Sequence, residues 1–171
     1  MNAKRITYPA LYAVAAIALG LIENALPPIV PVAGVKIGLG NAVVLFALVT
    51  LSVGEAALIL AAKCLVVALA SGNVFALAYS LPAGFAALVA EALLIRFFVG
   101  KLSLVVVSYA GAIVHTAVQI AVASAIVGVS LLAYFPIAGA VSGVCGAAVG
   151  VAAAFAVKAL PEKFAREDGR V

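Results

Sequence analysis

Long apolar runs alternate with short polar breaks along almost the whole chain. The breaks contain proline, glycine, serine, asparagine and charged residues, which end or interrupt helices. A helix of about 20 residues crosses the hydrocarbon core of a bilayer, so six crossings fit this length. The pattern therefore predicts six membrane-spanning helices, here called spans 1 to 6, at about residues 6–26, 35–53, 55–70, 73–99, 103–127 and 137–160, before a charged tail at 161–171.

The composition agrees with a chain that lies in a lipid bilayer. Of its 171 residues, 68% are hydrophobic and only 9% are charged, against about 45–50% and 25% in soluble domains. Alternating segments of about ten residues, which membrane β-barrels need, are absent from the sequence. We therefore predict an all-α polytopic membrane protein, a bundle of six transmembrane helices forming a single membrane domain over residues 1–171.

Basic residues indicate the orientation of this bundle. With the N-terminus inside, eight of the ten Lys and Arg residues fall on the inner side, whereas Lys36 is outside and Lys63 is within a span. An excess of basic residues is typical of cytoplasmic loops. We therefore expect a multi-pass protein of the cell (cytoplasmic) membrane with both termini in the cytoplasm. The net charge of +4 is explained in this way and gives no reason to expect a nucleic-acid partner.

The connection between the first two spans, PPIVPVAGVKIGLGN at residues 27–41, has an unusual composition. It holds three prolines, three glycines and Lys36. Proline cannot continue a helix, whereas glycine lets the backbone bend or approach a neighbour closely. One interpretation is the lid or rim of a binding site; the alternative is an ordinary hairpin between two spans.

Polar residues inside the spans are the strongest functional signal. An ionisable side chain near a helix centre costs roughly 2.5–3.5 kcal/mol, so each needs a partner or a use. Most of these residues are expected in the outer half of the bundle, and spans 4 and 5 each carry a polar stripe at helical spacing. Two such stripes on neighbouring spans would line a cavity. The candidate substrate-binding residues are Glu23, Lys36, Asn41, Asn73, Ser80, His115 and Gln119.

Two further ionisable residues, Lys63 and Glu91, are interpreted as structural. Lys63 would form an ion pair with Glu91 or with Glu23 and hold the bundle together. Glu91 could instead pair with a base near the inner surface. The alternative to a binding role for His115 is that of an ordinary interior histidine that is hydrogen-bonded within the protein.

Span 6 carries a stripe of small residues, with Gly139 and Gly143 four apart and Ser142, Gly146 and Gly150 at the same spacing. Small residues at this spacing let two helices approach closely. The stripe predicts packing inside the bundle; the alternative is a docking face for another membrane protein.

Catalytic chemistry is poorly supported by the sequence. Asp168 is the one aspartate of the chain, so the aspartate clusters that hold magnesium in prenyl-diphosphate synthases cannot be built. The sequence contains no phosphate-binding G-x-x-x-x-G-K-[ST] loop, and one histidine with two separated cysteines makes a metal site improbable. We therefore predict that the chain is not an enzyme, binds no metal or cofactor and does not hydrolyse ATP itself.

Three runs of sequence resemble one known family. These are GVKIGLGNAVVLFAL at 34–48, GNVFALAYSLPAG at 72–84 and GAIVHTAVQIAVAS at 111–124. They are similar to the Gx transporter family, which is also labelled heptaprenyl diphosphate synthase component I. That family is similar to the substrate-binding (S) components of energy-coupling factor (ECF) transporters. The resemblance implies six helices, cytoplasmic termini, and an outward-facing pocket covered by the first outer loop.

Three functions remain open at this point. The first is a membrane subunit that captures an unidentified small molecule for uptake, energised by separate ECF coupling and ATPase subunits. The second is a non-catalytic membrane subunit associated with isoprenoid or quinone biosynthesis or with electron transfer. The third is a proton-coupled carrier using Glu23, Lys63 and His115, which lacks the inverted repeat common among such carriers.

Overall fold

The computed structural model of the protein describes residues 3–27, 37–98 and 100–159. These residues form helices and turns, with no strand among them, which confirms the all-α prediction. A single 3-10 turn, Leu132–Tyr134, precedes the last helix. The helices are α1 (Ala3–Ala25), α2 (Leu39–Thr50), α3 (Val53–Ala70), α4 (Phe75–Phe97), α5 (Leu104–Val127) and α6 (Phe135–Lys158).

Five of the six helices are long and apolar enough to cross a membrane, and α2 is the short one. Its 12 residues span about 18 Å at about 1.5 Å per residue, well below the roughly 30 Å of the hydrocarbon core. The predicted start at residue 35 was too early, because the helix begins at Leu39. Gly38 directly before it has φ 89° and ψ 25°, a left-handed conformation that no helix interior contains and that glycine adopts readily.

The interpretation of residues 27–41 as a lid or rim lies largely outside the described part of the chain. Pro27 and residues 37–41 are described, whereas Lys36 and its neighbours back to residue 28 are not.

Short turns join α2 to α3 and α3 to α4, and they bring these consecutive helices side by side. A capping box starts α3: Glu55 N–H donates to Ser52 Oγ (3.2 Å), and Ser52 N–H donates to Glu55 Oε2 (2.9 Å). This arrangement satisfies backbone donors that a helix start leaves open. The basic side chains of Arg96, Lys101 and Lys158 are exposed and lie where α4 ends, α5 begins and α6 ends. We call this side of the bundle the basic end and the other side the opposite end.

Glycines bring α5 and α6 into close contact. A Cβ atom at Gly146 would lie 2.5 Å from Ala112 Cβ and 2.8 Å from the Ser108 carbonyl oxygen, and one at Gly150 would lie 2.6 Å from Val105 Cα. These distances leave no room for a side chain. The structure therefore confirms the packing interpretation for this part of the small-residue stripe.

A second close approach joins α1 to α2. A Cβ atom at Gly40 would lie 2.9 Å from the Ala16 carbonyl oxygen and 3.5 Å from Gly20 Cα. The apolar core beside these contacts includes Leu45 and Leu60, each 1% exposed. Large apolar side chains cover the outside of the bundle, which suits contact with lipid chains. Examples are Leu58, Phe97, Val144 and Phe155.

Candidate functional site

A cavity of about 40 Å³ lies between α2, α4, α5 and α6, with Leu60 of α3 at one side. One water molecule needs about 10–15 Å³ on this scale, so roughly three waters would fill it. Its wall reaches from Ile37 and Gly38, at the opposite end, to Ser108 and Val149 nearer the basic end. Its polar side chains are those of Asn41, Glu91, Ser108 and His115.

Small residues make room for this cavity and for the acid inside it. A Cβ atom at Gly111 of α5 would lie 2.7 Å from both Cγ and Cδ of Glu91. The Glu91 side chain of α4 therefore lies directly against the α5 backbone, in the place where a side chain at position 111 would begin. Gly84, Ala87 and Ala112 also line the cavity.

Lys63 of α3 reaches the edge of the cavity through a narrow passage. Its Cδ atom lies 3.9 Å from a Cβ built at Gly20 of α1 and 3.0 Å from one built at Gly40 of α2. Beyond this passage the Lys63 ammonium donates a hydrogen bond to Oδ1 of Asn41. Three helices thus meet at one lysine: Gly40 leaves room for its Cδ atom, and Gly20 lies within ordinary contact range of its alkyl chain.

The charge of Lys63 also acts on the deeper part of the cavity. Both Glu91 and His115 interact electrostatically with it. Nδ1 of His115 is buried and has no hydrogen-bond partner in the part of the chain that the structure describes. A buried nitrogen without a protein partner is available to hydrogen-bond a molecule that enters the cavity.

Glu23 of α1 fixes the start of α2. Its carboxylate accepts a hydrogen bond from the backbone N–H of Gly38, and the Gly38 carbonyl accepts from Asn41 N–H at 2.8 Å. A carboxylate is favourable at a helix N-terminus, where unpaired N–H groups and the helix dipole are both positive. Glu23 is 8% exposed and lies behind Gly38, so it supports the cavity wall at the opposite end.

The remaining predicted site residues lie apart from this cavity or outside the described residues. Asn73 is exposed in the α3–α4 turn, where its Oδ1 accepts from Ala76 N–H at 3.0 Å. Ser80 shares a side-chain hydrogen bond with Cys64 of α3. Gln119 is 3% exposed on α5, one turn beyond His115. Lys36 falls in the segment that is not described.

The structure thus brings together Asn41, His115 and the two residues interpreted as structural, Lys63 and Glu91. The helical spacing in the sequence already indicated that Glu91 and Ser108 face the cavity. Glu91 lies seven residues after Gly84, and Ser108 lies seven residues before His115, and all four line the cavity. Gly111 carried no such signal, since its importance depends on which side chain faces it from α4.

The cavity offers hydrogen bonding rather than metal binding. The described residues contain no group of three His, Cys, Asp or Glu side chains that could hold a metal ion. Glu91 provides an acceptor, the Asn41 amide provides N–H donors, and the His115 imidazole can do either. A few precisely placed polar groups in a mostly apolar wall are typical of small-molecule sites.

Comparison with known proteins places the chain in a family. Residues 12–156 match the family described as heptaprenyl diphosphate synthase component I. No curated protein and no solved structure matches the chain. The match covers most of the chain, including every helix that lines the cavity, and it agrees with the second label of the resemblance stated from the sequence. The protein is therefore a multi-pass helical membrane protein that belongs to the heptaprenyl diphosphate synthase component I family.

Proposed function

We propose that the protein is the substrate-binding subunit of a membrane uptake system, and that separate coupling and ATPase subunits supply the energy. The observation that carries this proposal is the cavity with Asn41, Glu91 and His115 in its wall. Ionisable groups at membrane depth are costly, and in known membrane proteins they mark substrate or ion pathways. The similarity to ECF S components is part of this proposal.

The proposed orientation places the basic end in the cytoplasm and the opposite end, with Gly38, outside the cell. Exposed Arg96, Lys101 and Lys158 support it, because basic residues concentrate on the cytoplasmic side. A ligand would then enter from the exterior beside the start of α2.

A second candidate function follows from the family description. A non-catalytic membrane subunit working with a prenyl-diphosphate synthase or another isoprenoid enzyme would also belong to this family. In that case the cavity would hold water or lipid, and affinity purification would recover the synthase instead of a transporter ATPase.

The test of the first proposal is independent of the chemistry of the ligand. Molecules released from the protein, purified in lipid nanodiscs from its native cells, are identified by mass spectrometry. Ala87→Leu fills the cavity, because Ala87 is 8% exposed and lines it. Ala86→Leu is the matched control on the same helix, since Ala86 does not line the cavity.

We expect one small molecule to be released from the wild type and from Ala86→Leu, and to be missing from Ala87→Leu. Release of no molecule from the wild type, or equal release from all three proteins, would contradict the proposal. A single gel-filtration peak at the elution volume of the wild type shows that each variant is folded.

A further inference from the structure

The hydrogen bond between Lys63 and Asn41 fixes which way the Asn41 amide faces. An ammonium group can only donate hydrogen bonds, so the Asn41 atom beside it must be the carbonyl oxygen. The NH₂ group of Asn41 is then turned away from Lys63. Since Asn41 lines the cavity, its remaining hydrogen-bonding capacity toward a ligand is that of a donor.

Glu91 supplies a hydrogen-bond acceptor within the same cavity. Its carboxyl group lies against Gly111 and lines the wall, and beside a ligand ammonium group it would be ionised and would only accept hydrogen bonds. The cavity therefore has a donor on α2, polarised by the Lys63 charge behind it, and an acceptor on α4.

Each charge that a ligand brings into this cavity needs a partner of opposite character, because the surrounding medium has a low dielectric constant. A carboxylate would meet the donor side of Asn41, which Lys63 polarises from behind. An ammonium group would meet the carboxyl group of Glu91. A ligand that carries both groups finds a partner for each charge, whereas a ligand with one charge leaves one of the two protein groups without a ligand partner.

We infer that this site, if it captures a ligand as proposed above, takes a small zwitterion whose carboxylate binds Asn41 and whose ammonium group binds Glu91. Lys63 is a positioning residue in this arrangement, because it acts through Asn41 and does not line the cavity. The cavity volume fits the charged head of such a molecule, about the size of an amino acid backbone without a large side chain.

The test uses three probes of similar size in direct binding measurements on the protein in nanodiscs. Glycine carries both charges, glycinamide carries the ammonium group alone, and propionate carries the carboxylate alone. We expect the wild type to bind glycine at least about tenfold more tightly than either of the others, since each charged hydrogen bond contributes about that factor or more.

Three variants test the individual roles. Glu91→Gln should abolish the advantage of glycine over propionate, and Asn41→Asp should abolish its advantage over glycinamide. Lys63→Met frees the Asn41 amide to turn, so it should also reduce the preference for glycine over glycinamide. A purely structural role of Lys63 would weaken all three probes equally and leave this ratio unchanged.

Matched controls lie away from the cavity. Asn73→Asp repeats the asparagine change at an exposed helix cap, and Lys101→Met repeats the lysine change in the α4–α5 turn. Neither should alter any ratio.

Tighter binding of glycinamide or propionate by the wild type would overturn the zwitterion inference while leaving a capture subunit in place. Binding of none of the probes would overturn it as well. The proposed function is tested separately: it is contradicted if the wild type releases no molecule in the mass-spectrometry experiment.

Discussion

The carboxylate of Glu91 on α4 lies against the bare Cα of Gly111 on α5, so the acid in the cavity depends on the missing side chain of its neighbour. Here a glycine on one helix leaves the space that a polar group on the next helix occupies.

Gly111→Ala should therefore displace Glu91. The new methyl group would lie 2.7 Å from Cγ and Cδ of Glu91, a separation that real carbon atoms do not tolerate, so the acid must leave its position. We expect ligand affinity to fall at least about tenfold, since the geometry of a charged hydrogen bond is lost. Equilibrium binding of the co-purified molecule measures this.

Gly54→Ala is the control for this substitution. A Cβ atom at Gly54 would meet only Ser52 Oγ, at 4.0 Å. Its affinity should equal that of the wild type, and an equal loss in both variants would contradict the role given to Gly111.

The α5–α6 contact should be sensitive to one added methyl group. Gly146→Ala would place Cβ 2.5 Å from Ala112 Cβ, and overpacking of this kind typically costs about 1–3 kcal/mol. We expect a loss of that size in the free energy of unfolding, measured by denaturant titration in detergent micelles.

Gly139→Ala serves as the comparison on the same helix. Its Cβ would meet the flexible Phe135 ring at 3.4 Å and no backbone of another helix. A loss as large as that of Gly146→Ala would show that the added methyl acts through something other than helix separation.

His115 and Gln119 lie on the same helix, one turn apart, but only His115 lines the cavity. His115→Ala should lower ligand affinity at least about tenfold, because it removes a polar group from the wall. Gln119→Ala should change affinity by less than about threefold. The two single variants are compared by the same binding measurement, and a larger effect of Gln119 would move the binding site toward the opposite end.

The proposed orientation predicts which turns can be labelled from outside the cell. In a chain whose Cys64 and Cys145 are replaced by alanine, Asn73→Cys should react with a membrane-impermeant maleimide on intact cells. Lys101→Cys, in the turn at the basic end, should react only after the membrane is opened. Both positions are exposed, so the reverse pattern would invert the topology.

The sequence predicted the helices well because their ends are marked chemically. Every predicted helix end lies within four residues of the observed one. Turns at Ser52, Gly72, Gly100 and Gly128 interrupt apolar runs that otherwise resemble one another, and a bilayer requires each run to be helical. The largest discrepancy is at α2, where the left-handed Gly38 delays the helix start.

The site was predicted only in part, because helical spacing gives the face of a helix but not what that face meets. Asn73 belongs to the same stripe as Glu91, yet it lies in the exposed turn before α4, where its side chain accepts a hydrogen bond from Ala76 N–H. Lys63 could be recognised from its position as a cation within a span. That its ammonium reaches Asn41 depends on how α1, α2 and α3 meet, which no local pattern contains.

The passage that Lys63 occupies has a consequence for how this family can vary. A Cβ at Gly40 would lie 3.0 Å from Lys63 Cδ and 2.9 Å from the Ala16 carbonyl oxygen, whereas one at Gly20 would lie 2.9 Å from Val67 Cγ2 and 3.7 Å from Lys63 Cγ. A relative with a side chain at the position of Gly40 would therefore need a shorter residue at position 63 and a wider separation of α1 from α2. A relative with a side chain at the position of Gly20 would need a smaller residue at position 67, so each glycine should vary together with a different residue of α3.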